Sequence, residues 1–456
     1  MSLGETHERR VRGEGRDAGG PRRRPKIGVE EFLSVAERFG FPRATLARIR
    51  AAVSDEELGE GPFLGSHGAN LPETKVQAFE RRALRTFGSR FALGVSSGTA
   101  ALHAAFVAAG VGPGTEVICP AIGFLATPAT VVLAKGVPVF CDVDESLGMD
   151  PARLEKLITP RTVAIAPTHV MGSVCDLGAI VAVARRFGLK VVEDCAQSCG
   201  ATYRGRPVGT HGDVGCFSIS AAKIVGGGEG GLLLTDNQRL YERACGLAEC
   251  GGLWRPERFA PPRWDGELFS GTNYRMSELE AAVDVVQLGK LPAIVGRFRA
   301  VRRRVVARLG RYAEIRPQKR NDPDGEIGYA LRFFPATLEL GARVVARLRA
   351  ARVACSFRGA GAPPDAHVYH SMFAIVRRVG TTPDDCAFGC PVYRTRGGSA
   401  RYARGDCPVA DDLFDRMLHV PLDQWWSGDE CRAVGDAIEG ALAACCTPDP
   451  RAPAWA

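Results

Sequence analysis

This 456-residue chain reads as an α/β protein built on a mostly parallel sheet, followed by a smaller α+β domain. Short apolar segments alternate with segments of helical period through residues 91–220, the pattern of βαβ units. Glycines and hydroxyl residues recur just past the apolar segments, where a parallel sheet offers its carboxyl ends to ligands. Beyond residue 310 the periodicity weakens, and Gly/Pro/Asp clusters at 321–326 and 359–365 mark loops.

Taken in order, residues 1–26 carry eight basic and four acidic side chains with few apolar ones. Such a segment cannot bury enough apolar surface to fold, so 1–28 is expected to be a disordered Arg/Gly-rich tail. From residue 29 to 50 apolar and charged positions recur at helical spacing, until glycines at 59, 61, 65 and 68 with Pro62 impose a loop. A helix over 75–87 leads to a strand at 91–95, a Ser-Ser-Gly-Thr turn and an alanine-rich helix over 100–109. Further strands are expected at 116–119, 138–142, 163–167, 190–193 and 215–220, with helices at 128–134, 151–157 and 177–187. A helix over 277–287 is expected to break near Pro292 and resume over 297–309. The expected division is a large domain over 29–290 and a small one over 291–456.

Composition narrows the function classes. Hydrophobic content of 45% with 24% charged residues is that of a soluble globular chain. The sequence has no apolar run of 18 residues, so no membrane span is expected. The Arg-rich start lacks the apolar stretch of a secretory signal, and a cytoplasmic location is expected. Among fifteen cysteines, Cys195 with Cys199 and Cys386 with Cys390 lack zinc-site spacing. Free thiols and no metal are therefore expected. Half of the formal +8 charge falls in the tail. The arginines at 297, 299, 302, 303, 304, 308 and 311 have only Phe298 and Tyr312 among them, which favours a solvated face over a nucleic-acid site. Trp425 and Trp426 are expected in core or dimer packing.

Three segments that follow strands carry the chemistry. Ser97-Gly98-Thr99 opens a helix, where amides and a hydroxyl can hold an anion or simply cap the helix. Val191-Val192-Glu193-Asp194 runs an apolar strand into an acid, which serves a ligand or caps a turn. Cys216-Phe217-Ser218-Ile219-Ser220-Ala221-Ala222-Lys223 leads into a glycine-dense loop, which suits close approach of backbone to a ligand or a plain surface loop. Lysine is a rare choice here, with eight lysines against fifty-one arginines. Together the segments supply a phosphate cup, a carboxylate for a pyridine nitrogen and an amine for an aldehyde, which are the needs of pyridoxal phosphate.

At this point the chain resembles the DegT/DnrJ/EryC1/StrS family, sugar and cyclitol aminotransferases of fold type I. The likeness runs from about 87 to 304, with a fainter match over 407–422. Its motifs include Ser97-Gly98-Thr99-Ala100-Ala101-Leu102, Pro120-Ala121-Ile122-Gly123-Phe124-Leu125-Ala126-Thr127 and His169-Val170-Met171-Gly172. They continue in Glu193-Asp194-Cys195-Ala196-Gln197, Gly212-Asp213-Val214-Gly215-Cys216-Phe217-Ser218 and Gly228-Glu229-Gly230-Gly231. Gly271-Thr272-Asn273-Tyr274-Arg275-Met276-Ser277 closes the set.

The resemblance implies a seven-stranded, mostly parallel sheet and a pyridoxal phosphate cofactor. It implies that Lys223 forms the Schiff base and moves a proton, that Asp194 pairs with the pyridinium nitrogen, and that Gln197 bonds the phenolic oxygen. Phe124 would stack on the ring, and Gly98, Thr99 and Ser218 would hold the phosphate. Asn273 would reach the phosphate of a neighbouring subunit, which makes the active unit a homodimer. His169 and Arg275 are candidates for substrate contact. The implied reaction moves an amino group from glutamate or glutamine to a keto-sugar or keto-cyclitol in small-molecule biosynthesis, antibiotics included. Three departures bear on the acceptor: Ile224-Val225-Gly226 follows the lysine without the usual Asn, Cys250-Gly251 stands where His-Gly is common, and Ser220-Ala221-Ala222 before the lysine is smaller than usual. Another reaction of the same cofactor, or a regulator built on the fold, are the rival readings. The Arg-rich tail favours the regulator, and the intact Lys223, Asp194 and Gln197 oppose it.

Overall fold

The computed structural model describes residues 27–58, 64–65, 73–252, 255, 260–359, 361–382 and 386–455. The tail expected over 1–28 therefore lies almost wholly outside the described residues. The chain forms two compact units, Met1–Ala78 with Ser277–Leu279, and Phe79–Met276 with Glu280–Ala456.

In the first unit the expected helical stretch over 29–50 is two helices, α1 (Val29–Glu37) and α2 (Arg43–Ala51). Gly40 sits at φ +74°, a left-handed conformation that ends the first helix, and Pro42 immediately precedes the second. The third helix, α3 (Lys75–Phe87), begins here, and its Lys75 and Val76 amides donate to the Glu278 carboxylate at 2.8 and 3.1 Å. An anion at a helix N-terminus satisfies donors that have no acceptor within the helix.

The second unit holds a seven-stranded sheet: β1 (Phe91–Val95), β2 (Glu116–Pro120), β3 (Val137–Cys141), β4 (Thr162–Ile165), β5 (Lys190–Asp194), β6 (Val214–Ser218) and β7 (Gly231–Thr235). Their order is β1-β7-β6-β5-β4-β2-β3, with β7 alone running against the rest. The helices α4 (Gly98–Ala108), α5 (Ala126–Leu133), α6 (Pro151–Leu157) and α7 (Leu177–Arg186) join strands of this sheet, and α8 (Gln238–Ala248) follows β7. Strands such as β2 are buried at every position, as expected where a parallel sheet is covered on both faces. The alanine-rich α4 buries Ala101, Ala104, Ala105 and Phe106 completely. Its small side chains let the helix axis come close to the strands.

Two elements differ instructively from the pattern in the sequence. β7 begins directly after a glycine-dense stretch, and its four apolar-compatible positions are too few to signal a strand by alternation. The long helix α9 (Glu278–Val306) runs through Pro292 without the expected break. Leu288, Leu291, Ile294 and Val295 flank that proline and are all buried, so packing on both sides carries the helix across one missing hydrogen bond.

The C-terminal part adds an antiparallel sheet, β8 (Ile315–Pro317), β9 (Ala330–Pro335), β10 (Ser356–Phe357) and β11 (Leu418–Pro421), in the order β8-β9-β11-β10. The helices α10 (Leu338–Ala350), α11 (Pro408–Arg416) and α12 (Gly428–Ala443) accompany it. The arginines of α9 are not a plain solvated face. Arg299 donates to the Glu326 and Gly325 carbonyls, and Arg297 to Gln424. Trp425 is 69% exposed with the Arg297 guanidinium 4.1 Å above its ring, so it lies on the surface rather than in a core. No helix among the described residues is long and apolar enough to cross a membrane.

Candidate active site

The segments singled out in the sequence meet at the carboxyl ends of the parallel strands. Ser97 caps α4, its Oγ accepting the Ala100 amide at 3.0 Å. The Gly98 and Thr99 amides are left at the helix N-terminus with no acceptor inside the helix. Gly231 pairs with Val95 on one side and Ser218 on the other. A Cβ at Gly231 would fall 2.2 Å from the Ser97 carbonyl oxygen, and one at Gly98 would fall 2.7 Å from Ser218 Cβ. Glycine at both places lets Ser218 close onto the positive end of α4, which gathers Gly98, Thr99 and Ser218 into an anion cup.

Asp194 ends β5 and is 2% exposed. Its carboxylate accepts from Thr127 Oγ1 at 2.6 Å and from the Ala196 amide at 3.0 Å. Burial pushes this carboxyl above its ordinary pKa; the Thr127 hydroxyl and the Ala196 amide lead the groups that pull it down, without cancelling the rise. The charged form is thus short of compensation, and a cation placed against it would supply what is missing. Thr127 is 1% exposed on the first turn of α5. The sequence assigns it no role, because a threonine in the first turn of a helix carries no sign of its partner 67 residues away.

Gln197 is half-buried, and its Oε1 accepts the Met171 amide at 2.7 Å. Because a backbone N–H can only donate, that bond fixes which end of the side-chain amide is oxygen. The Nε2 group is left as the donor.

His169 does not reach a substrate. It is fully buried, its Nδ1 accepts the Cys175 amide at 3.2 Å and its Nε2 lies 3.2 Å from Glu193 Oε2. An Nδ1 that accepts must be unprotonated, so the ring proton sits on Nε2 and is donated to Glu193. Burial pushes Glu193 up, but His169 and the Gly209 and Gly212 amides outweigh it and hold the carboxyl below its usual range. The His169 amide donates to the Asp194 carbonyl at 3.0 Å. The imidazole therefore braces the strand end that carries Asp194.

Phe124 lies between β2 and α5, where the Gly123 and Leu125 amides donate to the His367 and Ala366 carbonyls at 2.9 Å. Its ring is 42% exposed with His367 at 5.3 Å. Lys223 sits in the loop between β6 and β7, its amide donating to the Ser220 carbonyl at 2.9 Å. Its charge is the least of the influences that lower the Asp194 carboxyl. Asn273 is exposed and its Oδ1 accepts the Arg275 amide at 3.1 Å. Arg275 is held by Glu249 at 3.0 Å, so an anionic substrate would have to compete with that carboxylate.

Beneath the lysine loop lies Asp284 of α9, fully buried with no hydrogen-bond partner for either oxygen among the described residues. A Cβ at Gly227 would fall 2.3 Å from its Oδ1. Burial first, and then the Glu280 charge, raise its pKa to about 7.

The donor set fits pyridoxal phosphate. The cup suits a phosphate, the under-compensated Asp194 suits a protonated ring nitrogen, the Gln197 Nε2 suits a phenolic oxygen, and Lys223 supplies the amine. GDP-perosamine synthase of Caulobacter vibrioides is 40% identical over 243 residues, 52% of this chain and 62% of that protein. L-glutamine:2-deoxy-scyllo-inosose aminotransferase of Streptoalloteichus tenebrarius is 42% identical over 229 residues, 48% of this chain and 54% of that one. The chain thus spans less than two thirds of the length of these two relatives. Among solved structures, DesV of S. venezuelae superposes with a TM-score of 0.65 at 27% identity, covering 90% of this chain and 96% of the other. With 292 residues, 66–357, matched by the family's sequence profile, the chain belongs to the DegT/DnrJ/EryC1/StrS aminotransferase family.

Proposed function

We propose that the chain is a pyridoxal-phosphate aminotransferase that carries an amino group from glutamine or glutamate to the ketone of a sugar or cyclitol. The observation that carries this reading is the buried Asp194 carboxylate at the end of β5, set beside the Lys223 loop after β6 and the close approach of Gly98 to Ser218 at the carboxyl ends of one sheet. By their names, one relative makes GDP-perosamine and the other is an aminotransferase of L-glutamine and 2-deoxy-scyllo-inosose, which favours glutamine here.

The bound cofactor would supply a conjugated electron sink. Everything else falls to the chain. The Gly98 and Thr99 amides with Ser218 hold the phosphate, and Phe124 offers its exposed ring as a face for the pyridine. Asp194 holds the proton on the ring nitrogen, and Thr127 holds Asp194 in place. Gln197 donates through Nε2 to the phenolic oxygen. Lys223 would hold the cofactor through Nζ, and with that amine free it would carry the proton at the reacting carbon. Asn273, exposed and with its Oδ1 already engaged, is read as serving the phosphate of a second copy, so that the working form is a homodimer.

The test is the absorbance of the purified protein mixed with pyridoxal phosphate, before and after L-glutamine or L-glutamate is added. A visible band that Lys223→Ala abolishes, and that the donor converts to the amine form of the cofactor, is the expected result. Failure to form any band in excess cofactor would overturn the reading.

A further inference from the structure

Met171 is held in the left-handed region at φ 52° and ψ 38°, where a side chain other than glycine or asparagine costs about 1–2 kcal/mol. Two side chains grip its peptide groups from opposite directions. Gln197 Oε1 takes the Met171 amide at 2.7 Å, and Arg332 Nη2 donates to the Met171 carbonyl at 2.6 Å. Arg332 comes from β9 of the second sheet and is 5% exposed. Its Nε donates to Nδ1 of His419, its partner in the register of β11, at 3.1 Å. Its Nη1 donates to Gln318 Oε1 at 3.2 Å. These acceptors are all neutral: burial and the Arg332 charge hold His419 down at about 3, so its Nδ1 keeps its lone pair. The turn is closed on its other side by Tyr329, whose Cε1 would lie 2.7 Å from a Cβ at Gly172. A buried guanidinium tied to a carbonyl, an amide oxygen and an imidazole has its geometry fixed at three points.

We propose that Arg332 is a positioning residue for the cofactor site: it locks the Met171 turn, and the turn aims the Gln197 side-chain amide at the phenolic oxygen. This rests on the reading of Gln197 given above. The Arg332 fork is taken up by Met171, Gln318 and His419, and it acts on Gln197 through the two peptide groups of Met171. A donor on the phenolic oxygen favours its anionic form and draws charge from the Lys223 nitrogen joined to the cofactor. Loosening Gln197 therefore raises the proton affinity of that nitrogen.

The experiment is a pH titration of the visible band of the cofactor-loaded protein in the wild type, Arg332→Gln, Gln197→Ala and the double variant, each checked by thermal melting. Arg332→Gln is expected to raise the midpoint by about one pH unit, a roughly tenfold change in proton affinity. In the Gln197→Ala background the same substitution should add nothing, since both act on one bond. A purely structural Arg332 would leave the midpoint alone or shift it equally in both backgrounds, and either outcome overturns the proposal. Should Arg332→Gln fail to fold, Arg332→Lys is titrated instead. It keeps the charge but loses the fork, so it must still raise the midpoint, and an unchanged midpoint overturns the proposal. A wild-type protein without a visible band refutes the cofactor reading itself, an outcome distinct from a band that Arg332 does not move.

Discussion

Asp194 and Thr127 show how a single hydrogen bond sets the working range of a buried acid. The carboxyl is already raised by burial, and the Thr127 hydroxyl is the strongest group opposing that rise. Thr127→Val keeps the shape and deletes the donor, so Asp194 moves higher still. Cofactor binding draws on the ionised acid, so its acid limb should shift upward by about one pH unit, with affinity at alkaline pH nearly unchanged. Equilibrium binding of pyridoxal phosphate across pH reads this directly, and a limb that stays in place would remove Thr127 from the site. At this scale residue type and position after a strand single out Lys223, Asp194, Gln197, Gly98, Thr99 and Ser218, and the structure sets the segments that carry them at the carboxyl ends of β1, β5 and β6. The sequence was silent on Thr127, and it pointed to His169 for the wrong task. An imidazole after a strand looks the same whether it faces solvent or, as here, a buried glutamate.

Among the elements, α9 and β7 show where local pattern misleads. Pro292 was expected to break the helix, yet buried residues on both sides hold it together. The proline still removes one intrahelical bond at an exposed position. Pro292→Ala is therefore expected to stabilise the chain by about 1–3 kcal/mol, read as a rise in thermal or urea midpoint. A fall would show that the proline shapes the helix in a way its neighbours require. β7 escaped notice for the opposite reason: its identity as a strand comes from pairing with β1 and β6 on either side, and nothing in Gly231-Leu232-Leu233-Leu234-Thr235 announces those partners. The parallel strands were readable because helices separate them at regular intervals.

Over the whole molecule, the mostly parallel sheet and the second, antiparallel part followed from the alternation of periods and its loss past residue 310. The four-stranded sheet was not resolved strand by strand, because β8 and β10 are only three and two residues long. One residue under the lysine loop ties folding to the proton concentration. In the folded chain Asp284 keeps its proton up to about pH 7, against an ordinary value of 3.8. Folding therefore takes up a proton in that interval, and the stability Asp284 contributes is full below the lower value and lost as pH rises through the upper one. Asp284→Asn should match the wild type near pH 4 and exceed it at pH 8 by about 1–2 kcal/mol, well short of the full shift because Glu280 titrates alongside. Urea unfolding at the two pH values measures it, and equal differences at both would dismiss the link. The wild-type chain thus meets alkaline solution as an acid forced to choose between releasing its proton in the dark of the interior and opening the loop that covers it.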